Sequence, residues 1–372
     1  MDLQQLRTPA FLVDITQLKK NCAAMIDRCR MLGITLRPHM KTHKTLEAAR
    51  YMTDGGNMGI VVSTLSEAEF YAAGGYHDIT YGYLITTDKL PQASELTRKL
   101  KHFYVFVDSY PTLKALGSYK LADGKKWEVL LAVDARSNRE GIMYDDRELI
   151  SLAKAIANEA NVTFCGLYTH CGNSYYVQGE QAIKHSGQIT LDRMINVRNR
   201  LSAEGIQCKI TGIGSTPNCS VPISDYQGLT EFHPGNYVFY DYQQMCIGSC
   251  KLSDICVRVL TRVIGHYPLK GHFLIDCGFT GISHDGMRRL PQNDFCLVDG
   301  HPELKLVAMT QEIATVRSSN ESEALDFEKY PIGSFLEIIP YHACATAYMH
   351  HKYFIRENGK IVDEWIPHHQ GW

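Results

Sequence analysis

The stretch that organises this chain is Leu36-Arg37-Pro38-His39-Met40-Lys41-Thr42-His43-Lys44. It follows an apolar run and precedes the helical pattern of residues 45–50, so Lys41 stands where a strand gives way to a loop. In a barrel of alternating strands and helices, that edge carries the chemistry. The protonatable side chains around Lys41 therefore predict the centre of an active site, although a solvated basic loop would show the same local pattern.

The composition favours an ordinary globular protein that binds a small molecule. The chain has 372 residues, 45% of them hydrophobic, and a net charge of -2, which is enough apolar material for a large core. Acidic and basic residues are mixed, so there is no electrostatic footprint for nucleic acid or an anionic membrane. No apolar run approaches the roughly 18 residues of a membrane span, and no secretory signal is visible. Twelve scattered cysteines indicate reduced thiols and a cytoplasmic protein.

Extended apolar runs recur along the first part of the chain, and most are followed by a helical pattern. Eight are predicted, near residues 34–40, 59–63, 79–85, 103–108, 128–134, 163–170, 209–214 and 231–241. Helices are predicted at 16–31, 65–73, 148–159 and 182–204, the second behind a capping box of Thr64 and Glu67. This alternation favours an α/β fold with a closed (β/α)8 TIM-like barrel. The competing open sheet would need a G-x-G-x-x-G turn after the first strand, where residues 37–41 stand instead.

After about residue 243 the pattern changes to β-rich runs separated by turn signals. These runs lie near residues 255–266, 271–276, 303–310, 333–340 and 353–362. We therefore predict two domains: the barrel over residues 14–243, and a C-terminal all-β domain over residues 244–372. An N-terminal strand within residues 1–13 is expected to join the β domain.

Two glycine-bearing turns are predicted around the ends of the seventh and eighth strands: Gly212-Ile213-Gly214-Ser215-Thr216-Pro217-Asn218 and His233-Pro234-Gly235-Asn236-Tyr237. Backbone N–H groups and the hydroxyls of Ser215 and Thr216 could bind a phosphate there, which is the habitual phosphate site of this barrel. Either motif alone could be an ordinary turn. Together with a lysine on the first strand, they predict pyridoxal 5′-phosphate (PLP), which needs an amine and phosphate donors. Lys41 is preferred to Lys44 as that amine, because Lys44 is expected to have begun the helix.

The sixth strand ends in Tyr168-Thr169-His170-Cys171-Gly172-Asn173-Ser174-Tyr175. Alternation along a strand puts Tyr168 and His170 on one face, and Thr169 and Cys171 on the other. If the first face points to the barrel mouth, its side chains can hydrogen-bond a cofactor or a substrate. Packing within the core is the other interpretation of the same pattern.

A metal site is predicted in the β domain at His342 and Cys344, within Ile339-Pro340-Tyr341-His342-Ala343-Cys344-Ala345-Thr346. On an extended segment these two side chains would point the same way, and imidazole with thiolate is a Zn2+ ligand pair. The spacing alone is a thin signal, since most such pairs bind no metal. Further candidates receive no assignment from the sequence: His266, His272, Cys277, His284 and His301.

Five segments in this order resemble the D-serine dehydratase group of fold-type III PLP enzymes: residues 34–44, 168–175, 212–218, 233–237 and 341–346. The wider family includes D-threonine aldolases and alanine racemases, and the resemblance runs over nearly the whole chain. It implies an alanine-racemase-like barrel followed by a β domain, with Lys41 carrying PLP and with Zn2+ on His342 and Cys344. It also implies contacts to the PLP ring and phosphate from Tyr168, Tyr175, Ser215, Thr216, Gly235 and Asn236.

The activity implied by this resemblance is PLP- and zinc-dependent β-elimination of D-serine to pyruvate and ammonia. In that reaction the amine of Lys41 takes the Cα proton, and zinc stabilises the leaving hydroxide. D-threonine aldolase and 3-hydroxyaspartate dehydratase stay open as alternatives, because the same residues support them. A non-catalytic PLP carrier is a third alternative. A homodimer is expected by analogy with the family.

Overall fold

The computed structural model describes residues 3–56, 58–286, 295–320, 322–369 and 371. They form two compact units. One consists mainly of Cys22–Tyr237, and the other of the residues up to Asn21 with Val238–Cys246 and Cys250–His369. The sequence placed these boundaries at residues 14 and 243. In the structure the first lies inside a helix, and the second lies a few residues earlier than predicted.

The first unit is built from parallel strands that alternate with helices. With β1 (Ala10–Asp14) in the other unit, its strands are β2 (Thr35–Leu36), β3 (Ile60–Val62), β4 (Asp78–Leu84), β5 (His102–Val107), β6 (Trp127–Asp134), β7 (Ile142–Met143), β8 (Val162–His170), β9 (Ile210–Gly214) and β10 (Glu231–Phe232). The helices up to this point are α1 (Ile15–Leu32), α2 (Leu46–Met52), α3 (Leu65–Ala73), α4 (Leu90–Lys99), α5 (Tyr110–Ser118), α6 (Glu148–Asn158), α7 (Glu180–Ala203) and α8 (Thr216–Ser220).

These strands close into a barrel. Their order is β2-β10-β9-β8-β6-β5-β4-β3, with the short β7 beside β6, and the pairs are parallel. A parallel bridge between His39 and Val61 joins the residues after β2 to β3 and completes the ring. The predicted (β/α)8 barrel is therefore confirmed. The eighth strand, β10, is shorter than predicted, because the chain leaves the sheet after Phe232 and forms a short 3-10 helix at Asn236–Val238.

The interior of the barrel is filled by side chains from neighbouring strands. This apolar cluster consists of Tyr104, Phe106, Leu130, Ala132, Cys165 and Tyr168. The cap of α3 differs by one residue from the prediction. Oγ1 of Thr64 accepts the backbone N–H of Glu67 (3.0 Å), but the Glu67 carboxylate accepts from the backbone of Ser63 (2.8 Å) rather than from that of Thr64.

Arg37 serves the opposite end of the barrel from Lys41, contrary to its predicted place beside the lysine. Its buried guanidinium bonds Asp78, the first residue of β4 (Nη1–Oδ1 2.6 Å), and Glu231, the first residue of β10 (Nε–Oε2 3.1 Å). These carboxylates stand at the amino-terminal ends of their strands. Because the arginine side chain is long, it reaches back along the barrel from β2 and neutralises both of them there.

The second unit is a largely antiparallel sheet with short helices. Its strands after β1 are β11 (Val257–Tyr267), β12 (His272–Ile275), β13 (Cys296–Val298), β14 (Leu304–Met309), β15 (Ala314–Ser318), β16 (Phe335–Pro340), β17 (Tyr353–Glu357) and β18 (Lys360–Trp365), and its helices are α9 (Tyr242–Ile247), α10 (Phe279–Ile282) and α11 (Ala343–Tyr348). The order is β14-β15-β12-β11-β1-β17-β18, and β16 pairs with β11 and β13. The N-terminal strand β1 lies between β11 and β17.

Four of these strands, β13, β15, β17 and β18, differ from the sequence prediction. The strands β13 and β15 were not predicted. The predicted run at residues 353–362 is a hairpin, whose turn residues Asn358 and Gly359 both have positive φ, 49° and 77°. Asn-Gly is a strong hairpin signal, so this turn could have been predicted.

Within the described residues, no helix is both long and apolar enough to cross a membrane. All twelve cysteines are in the described part of the chain, and each is a free thiol.

Candidate active site

Lys41 lies just beyond the carboxyl end of the first barrel strand. It belongs to a short 3-10 helix, Met40–Thr42, that His39 caps by accepting the backbone N–H of Lys41 at Nδ1 (3.4 Å). The residue is half-buried. Carboxyl ends of barrel strands are where active sites of this fold are built. The structure therefore puts the Lys41 amine at the functional edge of the barrel.

Lys44, the other candidate amine, holds a buried carboxylate. Its Nζ lies 2.8 Å from Oε1 of Glu67, whose side chain is fully buried. Lys44 adopts a left-handed backbone conformation (φ 51°) and lies before Thr45, the N-cap residue of α2. The prediction that Lys44 has begun the helix is therefore wrong. Because Lys44 neutralises a charge in the core, Lys41 is the better candidate for covalent chemistry.

Two neutral imidazoles accompany Lys41. Burial lowers the pKa of His39 well below its usual range, and the nearby charge of Lys41 lowers it further. Burial also lowers the pKa of His170, at the end of β8, with additional contributions from Arg139 and Lys41. Both rings are therefore uncharged at neutral pH, so each offers one nitrogen as a hydrogen-bond acceptor and the other as a donor.

Tyr168 faces the interior of the barrel. Its ring packs between Phe106 and His233, with centroid distances of 4.3 and 4.9 Å. Burial raises the pKa of Tyr168, so its phenol keeps its proton and can act as a hydrogen-bond donor. On the other face of the same strand, Sγ of Cys171 lies 3.0 Å from Oγ1 of Thr190 in α7. The predicted alternation of faces is therefore seen in β8.

Two glycines of the seventh barrel strand, Gly212 and Gly214 in β9, make room for the side chain of His233. A Cβ at Gly212 would stand 2.1 Å from Nε2 of His233, and one at Gly214 would stand 3.0 Å from the His233 Cβ. The imidazole of His233 therefore fits only because β9 presents bare backbone to it. Neither ring nitrogen of His233 has a hydrogen-bond partner in the described part of the chain, and burial lowers its pKa to about 4.

Ser215 and Thr216 begin α8 at the carboxyl end of β9. Oγ of Ser215 accepts the backbone N–H of Asn218 (3.3 Å) and lies 3.0 Å from Oγ of Ser174. The Thr216 side chain is buried, and its Oγ1 has no hydrogen-bond partner among the residues described. A buried hydroxyl without a partner is costly. Thr216 is therefore the side chain here that most needs an external acceptor, as a phosphate would provide.

Tyr175 and the turn after β10 lie against the same carboxyl-terminal edge. Tyr175 belongs to a short 3-10 helix, Gly172–Tyr176, and its ring stacks on that of His170 with centroids 6.2 Å apart. A Cβ at Gly235 would come within 2.9 Å of the carbonyl oxygen of His39. Gly235 is therefore required for the close approach of the last strand to the Lys41 segment, and the buried Asn236 follows it.

Sequence reasoning missed Arg139. It lies in the loop after β6 and forms an ion pair with its neighbour Glu140. Its charge contributes to the lowered pKa values of His39 and His170, so it faces the same site. The only sequence signal was its position in a polar loop that directly follows a barrel strand.

In the second unit, His342 and Cys344 sit at the start of a helix. His342 is the N-cap residue of α11 and Cys344 is in its first turn, so the segment is not extended as predicted. The two side chains still interact. Burial lowers the pKa of His342, but the Cys344 thiol and the Asp285 carboxylate outweigh burial and raise it to about 10. Among the described residues, no group of three or more His, Cys, Asp or Glu side chains is arranged to hold a metal ion.

The other candidates of the second unit have structural contacts. Nε2 of His266 lies 2.7 Å from the carbonyl oxygen of Tyr330, and Nδ1 of His301 lies 3.1 Å from the hydroxyl of the same tyrosine. The remaining candidates pack against aromatic rings or in the core: His272, His284 and Cys277.

Comparison with known proteins identifies both parts of the chain. The family described as alanine racemase, N-terminal domain, matches residues 13–243, and the putative serine dehydratase domain matches residues 256–356. D-serine dehydratase from Dictyostelium discoideum is 36% identical over 392 aligned residues, which cover 98% of each chain. D-threo-3-hydroxyaspartate dehydratase from Delftia sp. HT23 is 32% identical, and its solved structure matches all of both chains with a TM-score of 0.94. Alanine racemase from Clostridium difficile 630, 12% identical over 97% of this chain and 99% of its own, shares the fold, with a TM-score of 0.68.

The protein is thus an enzyme with the alanine racemase-like fold. Within that class, the chain belongs to the family that contains D-serine dehydratase and D-threo-3-hydroxyaspartate dehydratase. The resemblance that the five sequence segments indicated is confirmed.

Proposed function

We propose that this enzyme is a PLP- and zinc-dependent D-serine dehydratase, which converts D-serine to pyruvate and ammonia. One observation carries the proposal: the half-buried Lys41 stands at the carboxyl end of a barrel strand beside two neutral imidazoles. The curated relatives from Dictyostelium discoideum and Schizosaccharomyces pombe are D-serine dehydratases, 36% and 28% identical to this chain over almost its whole length.

The residues of the barrel fit PLP. The amine of Lys41 would hold the cofactor covalently, and the unpartnered hydroxyl of Thr216 would donate to its phosphate together with Ser215. We assign the remaining contacts to the ring and phosphate as the family resemblance implies them, to Tyr168, Tyr175, Gly235 and Asn236. When bound, PLP supplies an electron sink that makes the Cα–H bond of an attached amino acid acidic.

Residues of the chain remove the Cα proton of the substrate and orient the groups around it. The amine of Lys41 is the base that takes the Cα proton. His39 and His170 bring no positive charge of their own at neutral pH, because burial holds their pKa values down. Each neutral ring offers one nitrogen as a hydrogen-bond acceptor and the other as a donor, so the two rings can orient the amine of Lys41 and the substrate without competing for the proton. The protonated phenol of Tyr168 remains a donor for a hydrogen bond.

His342 and Cys344 would hold the zinc ion. Imidazole and thiolate are both preferred zinc ligands, and two protein ligands leave coordination positions open. A zinc ion supplies Lewis-acid stabilisation to a departing hydroxide. A solved structure of the Delftia dehydratase in which a cysteine is replaced by alanine is in a metal-free form, and it is 31% identical to this chain with a TM-score of 0.94. A metal-free form of that dehydratase supports a metal site in the proposed enzyme, which we assign to His342 and Cys344.

A second candidate substrate is D-threo-3-hydroxyaspartate. It is favoured by the full-length similarity to the Delftia dehydratase. Arg139 carries a positive charge near the site, which suits the second carboxylate of that substrate. D-threonine aldolase from Arthrobacter is a more distant relative at 25% identity, and its reaction would break the Cα–Cβ bond instead.

We further propose that the protein is a cytoplasmic homodimer. The free state of all twelve cysteines supports a reducing compartment. The dimer is proposed by analogy with the family.

The test is a side-by-side assay of the purified enzyme with D-serine, D-threo-3-hydroxyaspartate, D-threonine and L-serine. Pyruvate and ammonia from D-serine, with no product from L-serine, are expected. Preferential formation of oxaloacetate from the hydroxyaspartate would favour the second candidate, and glycine from D-threonine would identify an aldolase. Cofactor absorbance without any product would leave a PLP carrier.

A further inference from the structure

Asp285 holds the imidazole of His342 in a defined orientation. Its Oδ2 lies 2.5 Å from Nδ1 of His342, and both side chains are about one-third exposed (32%). A carboxylate can only accept a hydrogen bond, so Nδ1 of His342 must be the donor. The ring therefore carries a proton at Nδ1, and Nε2 is the nitrogen that can bind a metal ion, which would displace any proton there.

The segment that carries Asp285 is fastened to the same helix as the two ligands. The Asp285 backbone N–H donates to Oγ of Ser283 (3.1 Å). Two carbonyl groups just before this turn bond to residues at α11: the Ile282 carbonyl accepts from Oγ1 of Thr346 (2.9 Å), and the Gly281 carbonyl lies 2.9 Å from Nε2 of His350. The carboxylate and the imidazole are therefore positioned on one connected framework rather than on independent loops.

A second carboxylate, Asp241, holds the backbone at this place. Its Oδ2 accepts the N–H of Ala343, the residue after His342 (2.8 Å), and its Oδ1 accepts the N–H of Gln244 (2.9 Å). Asp241 thus caps α11 and α9 and fixes where α11 begins. Asp285 is left as the group that fixes the ring of His342.

We propose that Asp285 is a positioning residue for the metal site, which orients His342 so that Nε2 faces the ion bound by His342 and Cys344. The inference rests on the metal site of the proposed function. A carboxylate that accepts from the distal nitrogen of a ligating histidine fixes its tautomer and increases its basicity, and loss of such a partner typically weakens metal binding about 10–100-fold. In this proposal Asp285 orients a ligand and is not itself a ligand.

The test measures zinc affinity directly, by competition with a chromophoric chelator on the full-length protein. D285N keeps the size of the side chain but removes its charge, and D285A removes the hydrogen bond. We expect the affinity to fall about 10–100-fold in D285A and less in D285N. With Co2+ in place of zinc, the thiolate-to-cobalt absorption band should be retained at saturating metal, because Cys344 is untouched.

The control is E128Q in the barrel unit. Glu128 accepts from a histidine in the same way, with Oε1 2.9 Å from Nδ1 of His102, but no metal site is proposed there. E128Q should bind zinc like the unchanged protein. Unchanged zinc affinity in both Asp285 variants, or an equal loss in E128Q, would overturn the inference. An unchanged protein that binds no zinc at all would instead contradict the metal site of the proposed function.

Discussion

The two ends of the barrel use polar side chains in opposite ways, although the same short stretch supplies both. Arg37 points to the amino-terminal end, where its charge is buried against the carboxylates of Asp78 and Glu231. Lys41, four residues further on, lies at the carboxyl end, where the neighbouring histidines are uncharged and the Thr216 hydroxyl has no partner among the described residues. At the first end the charge of Arg37 is paired with two opposite charges. At the second, polar groups are left with capacity for a ligand.

This difference indicates that the polar groups of the amino-terminal end stabilise the barrel and that those of the carboxyl end serve the reaction. A buried ion network whose charges are all paired needs no ligand, and its loss would destabilise the barrel. A buried donor without an acceptor destabilises the free protein and is retained where a ligand supplies the acceptor. The predictions below test this division between the ends, and they run from the largest expected effect to the smallest.

The largest effect is expected for Lys41→Ala. The change removes the amine that holds PLP and takes the Cα proton, so the absorbance of protein-bound cofactor should disappear and kcat/KM should fall by about 10²–10⁴-fold or more. Lys44→Ala is the matched control. It leaves Glu67 buried without its partner, and should lower the free energy of unfolding by about 3 kcal/mol while the cofactor absorbance stays. Absorbance lost in Lys44→Ala and kept in Lys41→Ala would exchange the roles of the two lysines.

At the other end, Arg37→Ala should act on stability. Two carboxylates would be left buried or half-buried without a countercharge, which costs about 3–5 kcal/mol of unfolding free energy. Urea denaturation measures this loss. Arg37→Lys should restore only part of it, because an ammonium cannot bridge two carboxylates with the geometry of a guanidinium.

Arg98→Ala provides the comparison for Arg37. Its pair with Glu95, three residues earlier in the same helix, is exposed, so its loss should change the unfolding free energy far less than the loss of Arg37. A loss of similar size in both variants would show that the buried network has no special role at the amino-terminal end.

Acid should destabilise the protein through its buried histidines. Burial lowers the pKa of His233 to about 4 and that of His43 to about 3, whereas histidine in the unfolded chain titrates near 6.5. As the pH falls from about 6.5 towards 4, these histidines bind protons in the unfolded chain but stay neutral in the folded chain. The free energy of unfolding therefore falls. Each such histidine contributes a slope of up to about 1.4 kcal/mol per pH unit.

Urea unfolding at several pH values checks this slope. His233→Asn should make it shallower, because one of the depressed groups is removed. His185→Asn, at an exposed position in α7, should leave it unchanged. A free energy of unfolding that stays constant across this range would contradict the assignment of neutral, buried imidazoles.

Much of the fold could be predicted from the sequence because the signals were local. The strand and helix alternation predicted the barrel, and the bounds of β6, β8, α6 and α7 lie within two residues of the prediction. The eighth strand was predicted too long, since the run at residues 231–241 is apolar in a 3-10 helix as well as in a strand. The strands β13 and β15 were missed, because short strands that pair across long loops carry no periodic signal of their own.

The site was predicted less completely, since its members are related by tertiary contacts. Lys41 and the segment of Ser215 and Thr216 stand out by position relative to strand ends. Nothing in the sequence shows that Gly212 makes room for His233, that Lys44 pairs with Glu67, or that Asp285 meets His342, because each partner is distant along the chain. Nor does the sequence show that Arg37 serves the amino-terminal end, because its long side chain reaches back past its own strand.

The smallest effect is expected for Thr216→Val, which removes one hydroxyl group at the carboxyl end of the barrel. The valine keeps the shape and removes a hydroxyl that has no partner in the described residues. The stability of the cofactor-free protein should therefore stay the same or rise slightly, while PLP should bind about 5–10-fold more weakly, as the loss of one hydrogen bond of about 1 kcal/mol predicts. Equilibrium titration of the cofactor-free protein with PLP measures this change.

Thr80→Val is the matched control for Thr216→Val. Oγ1 of Thr80 is also buried and without a partner among the described residues, but Thr80 lies near the amino-terminal start of β4. The same change there should alter stability in the same direction and leave the PLP affinity untouched. If both variants weakened PLP binding equally, the unpartnered hydroxyl of Thr216 would be a packing defect of the barrel rather than a donor kept for the phosphate. A loss of PLP affinity in Thr216→Val alone would show that a buried hydroxyl without a partner indicates a ligand site only at the carboxyl end of the strands, where active sites of this fold lie.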